Sequence, residues 1–112
     1  KKKIKIILLA GYMKILSKSF IHRFKNPILN IHPSLLPKYK GLKTHKRVLI
    51  NKEKYTGCTV HLVNTKLDSG KIILQKKIKV RKNDNEKKLE KKVLNLEHKL
   101  YPKAIDKYLF NF

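Results

Sequence analysis

Ile4-Lys5-Ile6-Ile7-Leu8-Leu9-Ala10-Gly11 is a near-continuous apolar run closed by a glycine. A strand wetted on one face alternates apolar and polar side chains, so an almost unbroken run marks a strand covered on both faces. Such strands lie inside sheets flanked by helices, which predicts an α/β fold with residues 4–10 as a central strand. Upstream, Lys1-Lys2-Lys3 imitates the basic start of a signal peptide. The apolar run is short, is interrupted by Lys5 and lacks a small-residue cleavage pattern, so it reads as a strand whose upstream neighbours are cut away.

Working downstream, residues 17–24 carry Phe20, Ile21 and Phe24 on one helical face behind a capping Ser17. Pro27 ends that segment, and residues 28–31 resume as a short strand. Pro33, Pro37 and Gly41 force residues 32–43 into a loop. Residues 44–50 form a short helix with Val48 and Leu49 inward. Residues 57–63 make a third strand, with Thr59, His61 and Val63 on one face and Cys58, Val60 and Leu62 on the other. Leu67-Asp68-Ser69-Gly70 is a turn, and residues 71–80 form a fourth strand. The last element is a long helix capped by Asn83 or Asp84, with a stripe of Leu89, Val93, Leu96, Leu100, Ala104, Ile105 and Tyr108. Pro102 should kink it or divide it in two.

The chain has 112 residues and a formal charge of +22. Clustered cations bind phosphate, yet the arginines are only Arg23, Arg47 and Arg81. Nucleic-acid readers favour the planar arginine fork, and these lysines are spread along the whole chain beside abundant Ile and Asn. That trio is what an AT-rich coding sequence drifts toward, which points away from specific nucleic-acid recognition. No stretch approaches the roughly 18 apolar residues of a membrane span. Cys58 is the lone cysteine; it reads as a small core residue in a reducing compartment, hence the cytoplasm.

The chemistry concentrates in Asn30-Ile31-His32-Pro33. Strand periodicity puts Asn30 and His32 on one side, at a strand end where α/β proteins place ligands. An amide donor can hold a developing oxyanion while an imidazole handles protons near neutral pH, so the pair suits a carbonyl reaction. The seven acids are Glu53, Asp68, Asp84, Glu86, Glu90, Glu97 and Asp106. Asp68 alone sits in a Gly-bearing turn between strands, where it either partners a histidine or bonds its own backbone. His22, His45 and His98 read as surface or packing residues, and His61 as a structural histidine within its strand.

Asn30 to Tyr39, followed by Gly41-Leu42 and Thr44-His45, resembles the signature of the phosphoribosylglycinamide formyltransferase family of purine synthesis. The resemblance extends through Leu9-Ala10-Gly11-Tyr12-Met13-Lys14-Ile15-Leu16, Gly57-Cys58-Thr59-Val60-His61, Leu67-Asp68-Ser69-Gly70, Ile73-Leu74-Gln75, Glu97-His98 and Tyr101-Pro102. It implies the C-terminal part of a Rossmann-like formyltransferase domain, a mixed sheet flanked by helices over residues 1–112, without the domain's N-terminal portion. It implies Asn30 as holder of the formyl oxygen, His32 as proton-transfer and oxyanion-stabilising group, and Asp68 as the residue orienting that histidine and a relay water.

The same resemblance implies that the cosubstrate 10-formyltetrahydrofolate meets Met13, Lys14, Ile15, Leu16, Asn30, Asn64, Thr65, Lys66, Leu67 and Asp68. Gly11, Met13 and Glu97 would contact the acceptor, glycinamide ribonucleotide. No metal and no membrane is implied, and a homodimer stays open. Lys14 replaces the family's arginine, and Gly11 lacks the companion glycines of a phosphate cradle, so the 112 residues alone are expected to have little or no activity. The alternatives are the sister reactions, in which the formyl group passes to water or to methionyl-tRNA, or an inactive basic remnant.

Overall fold

The structure is a computed structural model that describes residues 7–10, 28–64 and 66–111. Its elements are β1 (Ile7–Ala10), β2 (Ile28–His32), α1 (Thr44–Ile50), β3 (Tyr55–Leu62), β4 (Ile72–Lys79) and α2 (Glu86–Asn111). The expected helix over residues 17–24 lies outside the described residues.

The strands form one sheet in the order β1-β2-β3-β4. β1 runs parallel to β2, whereas β2 with β3 and β3 with β4 are antiparallel, so the sheet is mixed as expected. Residues 4–10 were expected to be central; among the described residues β1 ends the row. The β2–β3 register sets Asn30 opposite His61 and His32 opposite Thr59. Because side chains alternate along a strand, that register sorts the sheet into an apolar face and a polar one.

The apolar face carries Leu29, Ile31, Cys58 and Val60, which pack with Ile73 against Val93, Leu100 and Ala104 of α2. Burial pushes the Cys58 thiol up to about 12, as a core role requires. The expected stripe on α2 is the one that packs: Leu89, Val93, Leu100 and Ala104 are buried, with Leu96, Ile105 and Tyr108 half-buried. Pro102 does not divide α2, which continues through it as a single helix. One lost backbone donor is outweighed where Leu100 and Ala104 stay buried on either side of the proline. The cap is Asn85, not Asn83 or Asp84. Its Oδ1 accepts the Lys88 N–H at 2.8 Å, while Asp84 is turned back to the Arg81 N–H.

Candidate active site

The polar face of the sheet holds Asn30, His32, Thr59 and His61, all nearly sealed from solvent. Such residues occupy a buried face only when each finds partners. Thr59 accepts hydrogen bonds from the Leu36 N–H at 3.1 Å and the Gln75 amide at 2.9 Å, and gives its hydroxyl to the Ser34 carbonyl at 2.7 Å. It therefore ties the loop after β2 down onto β3.

Asp68 reaches the cluster from the turn between β3 and β4. Its backbone is left-handed, with φ 47, and Gly70 closes the turn because any Cβ there would collide with the Leu62 carbonyl. Asn64 shapes the approach, accepting the Lys66 N–H at 2.9 Å and the Ser69 hydroxyl at 3.1 Å. The result puts one Asp68 oxygen 3.5 Å from His32 Nδ1 and the other 4.0 Å from His61 Nε2. Asp68 also accepts the Gly41 N–H at 2.8 Å, so this carboxylate serves the histidines and the backbone at once.

The hydrogen bonds assign the protons. His32 donates from Nε2 to the Tyr39 carbonyl at 2.9 Å, leaving Nδ1 toward Asp68. His61 donates from Nδ1 to the Leu62 carbonyl at 3.0 Å, so its Nε2 accepts from the Asn30 amide at 3.3 Å. An amide nitrogen has two hydrogens, and only one of those on Asn30 is engaged by His61. Among the described residues, Asn30 Oδ1 and His32 Nδ1 are buried with no hydrogen-bond partner. Burial lowers the pKa of His32, against the raising effects of the Tyr39 carbonyl and the Asp68 carboxylate. His61 is lowered in the same way, opposed by the Leu62 carbonyl and Asp68. Buried groups whose charged state is contested in this way concentrate at reacting centres.

The structure thus brings Asn30, His32 and Asp68 together, and adds His61, which the sequence marked only as a structural histidine. Its signal was the alternation with Thr59, but the pairing with Asn30 depends on the β2–β3 register. Asp68 Oδ2 faces the histidine and accepts from the Gly41 backbone of a distant loop, so among the described residues its bonds fit the histidine-partner alternative and not a turn aspartate capping its own backbone. Beside Asp68 lies a cleft of about 120 Å³ whose walls include Leu36, Pro37, Lys40 and Gly70. Asn64, Lys66 and Leu67 lead into this turn. Glu97 stands apart, in a cleft of about 370 Å³ walled by Ile31, His98, Tyr101 and Ile105 on the α2 side of the sheet. Burial pushes its carboxyl up to about 7. Gly11, Met13, Lys14, Ile15, Leu16 and Thr65 lie outside the described residues. Among the described residues no group of three or more His, Cys, Asp or Glu side chains is placed so as to hold a metal ion, and no helix is long and apolar enough to cross a membrane.

Comparison with known proteins gives one family. The formyl transferase family model matches residues 1–105. The chain is 45% identical over 100 residues to phosphoribosylglycinamide formyltransferase of Escherichia coli K12, covering 89% of this chain and 47% of that protein. It is 44% identical over 102 residues to the human trifunctional purine biosynthetic protein adenosine-3, covering 91% of this chain and 10% of that one. A phosphoribosylglycinamide formyltransferase structure from Brucella melitensis superposes with a TM-score of 0.84 at 50% identity, over 92% of this chain and 53% of that one. The Bacillus halodurans structure of that name gives a TM-score of 0.88 at 35% identity, over 94% and 54%. The chain spans about half the length of the E. coli relative and of these solved structures.

Proposed function

From the formyl transferase family, to which this chain belongs, we propose that these residues form the reacting centre of a phosphoribosylglycinamide formyltransferase. The reaction moves a formyl group from 10-formyltetrahydrofolate to the amine of glycinamide ribonucleotide in purine synthesis, in the cytoplasm. The observation that carries this reading is the buried meeting of Asn30, His32 and Asp68, in which Asn30 Oδ1 and His32 Nδ1 have no hydrogen-bond partner among the described residues.

The donor set fits a carbonyl reaction. The folate would supply an activated formyl carbon; the chain's own groups handle charge and protons around it. The Asn30 N–H not given to His61 donates to the oxygen on which negative charge develops, a contact worth about 3 to 4 kcal/mol where such donors have been removed. His32 takes up and returns a proton at Nδ1, the nitrogen that faces Asp68. Asp68 favours that protonated state and orients the ring. Its tie to the Gly41 N–H holds the carboxylate in place while the proton moves. Asn64, Thr65, Lys66, Leu67 and Asp68 would line the folate subsite with Met13, Lys14, Ile15 and Leu16. Gly11, Met13 and Glu97 would meet the ribonucleotide.

We place the complete activity in a domain of the relatives' length, and the 112 residues alone are proposed to turn over slowly or not at all. The test is a chimera that joins this chain to the part of the E. coli relative it leaves uncovered. The chimera is offered 10-formyltetrahydrofolate with glycinamide ribonucleotide, with methionyl-tRNA, or with water alone. Transfer to the ribonucleotide at a rate well above the other two supports the reading, and preference for either other acceptor rejects it.

A further inference from the structure

Tyr39 and Gly41 touch the reacting centre through their backbones, and something must hold those backbones still. Tyr39 has φ 57 and Lys43 φ 55, left-handed values for non-glycine residues, with Gly41 at φ 83 between them. Each non-glycine residue of this kind costs on the order of 1 to 2 kcal/mol, so residues 38–43 do not keep this path unaided. Beyond His32 and Asp68 themselves, two described side chains from outside the segment tie it down. Arg47 of α1 donates from Nε to the Leu42 carbonyl at 3.0 Å, and from its terminal nitrogen to the Lys40 carbonyl at 2.5 Å and the Leu42 carbonyl at 2.7 Å. Its guanidinium also lies 5.4 Å from the centre of the Tyr39 ring. Glu53, in the turn before β3, accepts the Tyr39 hydroxyl at 2.6 Å and pairs with Lys38 at 3.2 Å. The planar, multi-donor geometry of Arg47 suits this task better than a lysine would.

We propose that Arg47 and Glu53 are positioning residues: they clamp residues 38–42 so that the Tyr39 carbonyl and the Gly41 N–H fix which nitrogen of His32 carries the proton. With Nε2–H held by Tyr39, the neutral ring has its lone pair at Nδ1, facing Asp68. When the clamp is slack, Nδ1–H can turn its bond to Asp68 and free Nε2, which is the wrong arrangement for a base working at Nδ1. The inference rests on His32 as the proton-handling group, but not on turnover. It assigns work to two side chains that lie outside the reacting centre.

The experiment is two-bond proton–nitrogen NMR of the histidine rings in the full 112-residue chain, labelled with nitrogen-15, near neutral pH. Wild type should give a protonated-type Nε2 and an unprotonated-type Nδ1 for His32. In Arg47→Ala and Glu53→Ala the ratio of that tautomer to the other should fall about fivefold to tenfold, the equivalent of one ordinary hydrogen bond. His61 is the internal control, since its Nδ1–H is held by its own neighbour's carbonyl and its shifts should not move. Tyr39→Phe keeps the carbonyl and the ring and removes only the bond to Glu53, so it reads the clamp even where Arg47→Ala unfolds. Arg47→Lys keeps the charge without the fork and should restore only part of the ratio. A wild-type His32 protonated at Nδ1, or His32 shifts unchanged in the folded variants, overturns the proposal. A chimera without formyl transfer but with these tautomer shifts would count against the activity alone and leave the clamp standing.

Discussion

At the residue scale, the site separates what a single chain discloses from what only pairing discloses. Asn30 and His32 stand two residues apart in a strand, so periodicity alone puts them on one face. The 3.5 Å approach of Asp68 to His32 needs the turn at Asp68, Gly70 packed against Leu62, and the β3–β4 register, none of which follows from spacing. His61 is the residue that sequence undervalued, because a histidine alternating in a strand resembles any buried polar residue until the opposite strand is known to present Asn30. Glu97 gives a prediction that depends on its protonation. Its folded value is about 7 against an ordinary 4.5. Between those values the folded chain binds the extra proton, so this group's contribution to stability is lost as pH rises. Glu97→Gln, a stand-in for the protonated acid, should therefore stabilise the chain by about 1 to 2 kcal/mol at pH 8, after discounting for solvent. It should change little near pH 4.5. Urea melts at the two pH values check it, and an equal effect at both contradicts it.

At the element scale, the boundaries of α1, β3 and β4 follow closely from apolar pattern and turn residues, because these elements bury a face that their own spacing announces. The misses have local causes. The α2 cap falls one residue beyond the expected pair because Asp84 is already committed to the Arg81 N–H and Lys92. Asn85→Ala should cost about 1 kcal/mol, the usual worth of a cap, whereas Asn83→Ala should cost almost nothing. Thermal melts of the two variants distinguish them. Pro102 marks a break by itself, yet the buried stripe carries α2 through it. Leu29 is fully buried where β2 meets α2. Leu29→Ala should lose about 2 to 5 kcal/mol in denaturant unfolding, and a loss below 1 kcal/mol would place Leu29 outside a tightly packed core.

At the scale of the whole molecule, charge and proton uptake set the conditions for stability. A net charge of +22 on 112 residues repels itself, and salt screens that repulsion over about 10 Å at 0.1 M. Raising salt from about 20 to about 300 mM should lift the melting temperature by about 4 to 8 °C, the equivalent of about 1 kcal/mol for a small domain. An unchanged or lower value contradicts this. Composition made the charge legible at once, but gave no sign that the proposed reacting centre would contain so little of it. His32, His45 and His61 are all lowered by burial. The unfolded chain therefore binds more protons below about pH 6.5, and their contribution to stability is lost as pH falls through that value.

The central claim is that Asn30, His32 and Asp68 work as one unit on a formyl group. Its most direct measurement is the single-turnover rate of formyl transfer by the chimera carrying Asp68→Asn, alongside the affinity of the same variant for the folate. The account predicts a rate at least about 100-fold lower, in line with the loss of a group that supports proton transfer, with folate affinity within about threefold of the parent (roughly 0.7 kcal/mol). An unchanged rate would remove Asp68 from the mechanism and contradict the account.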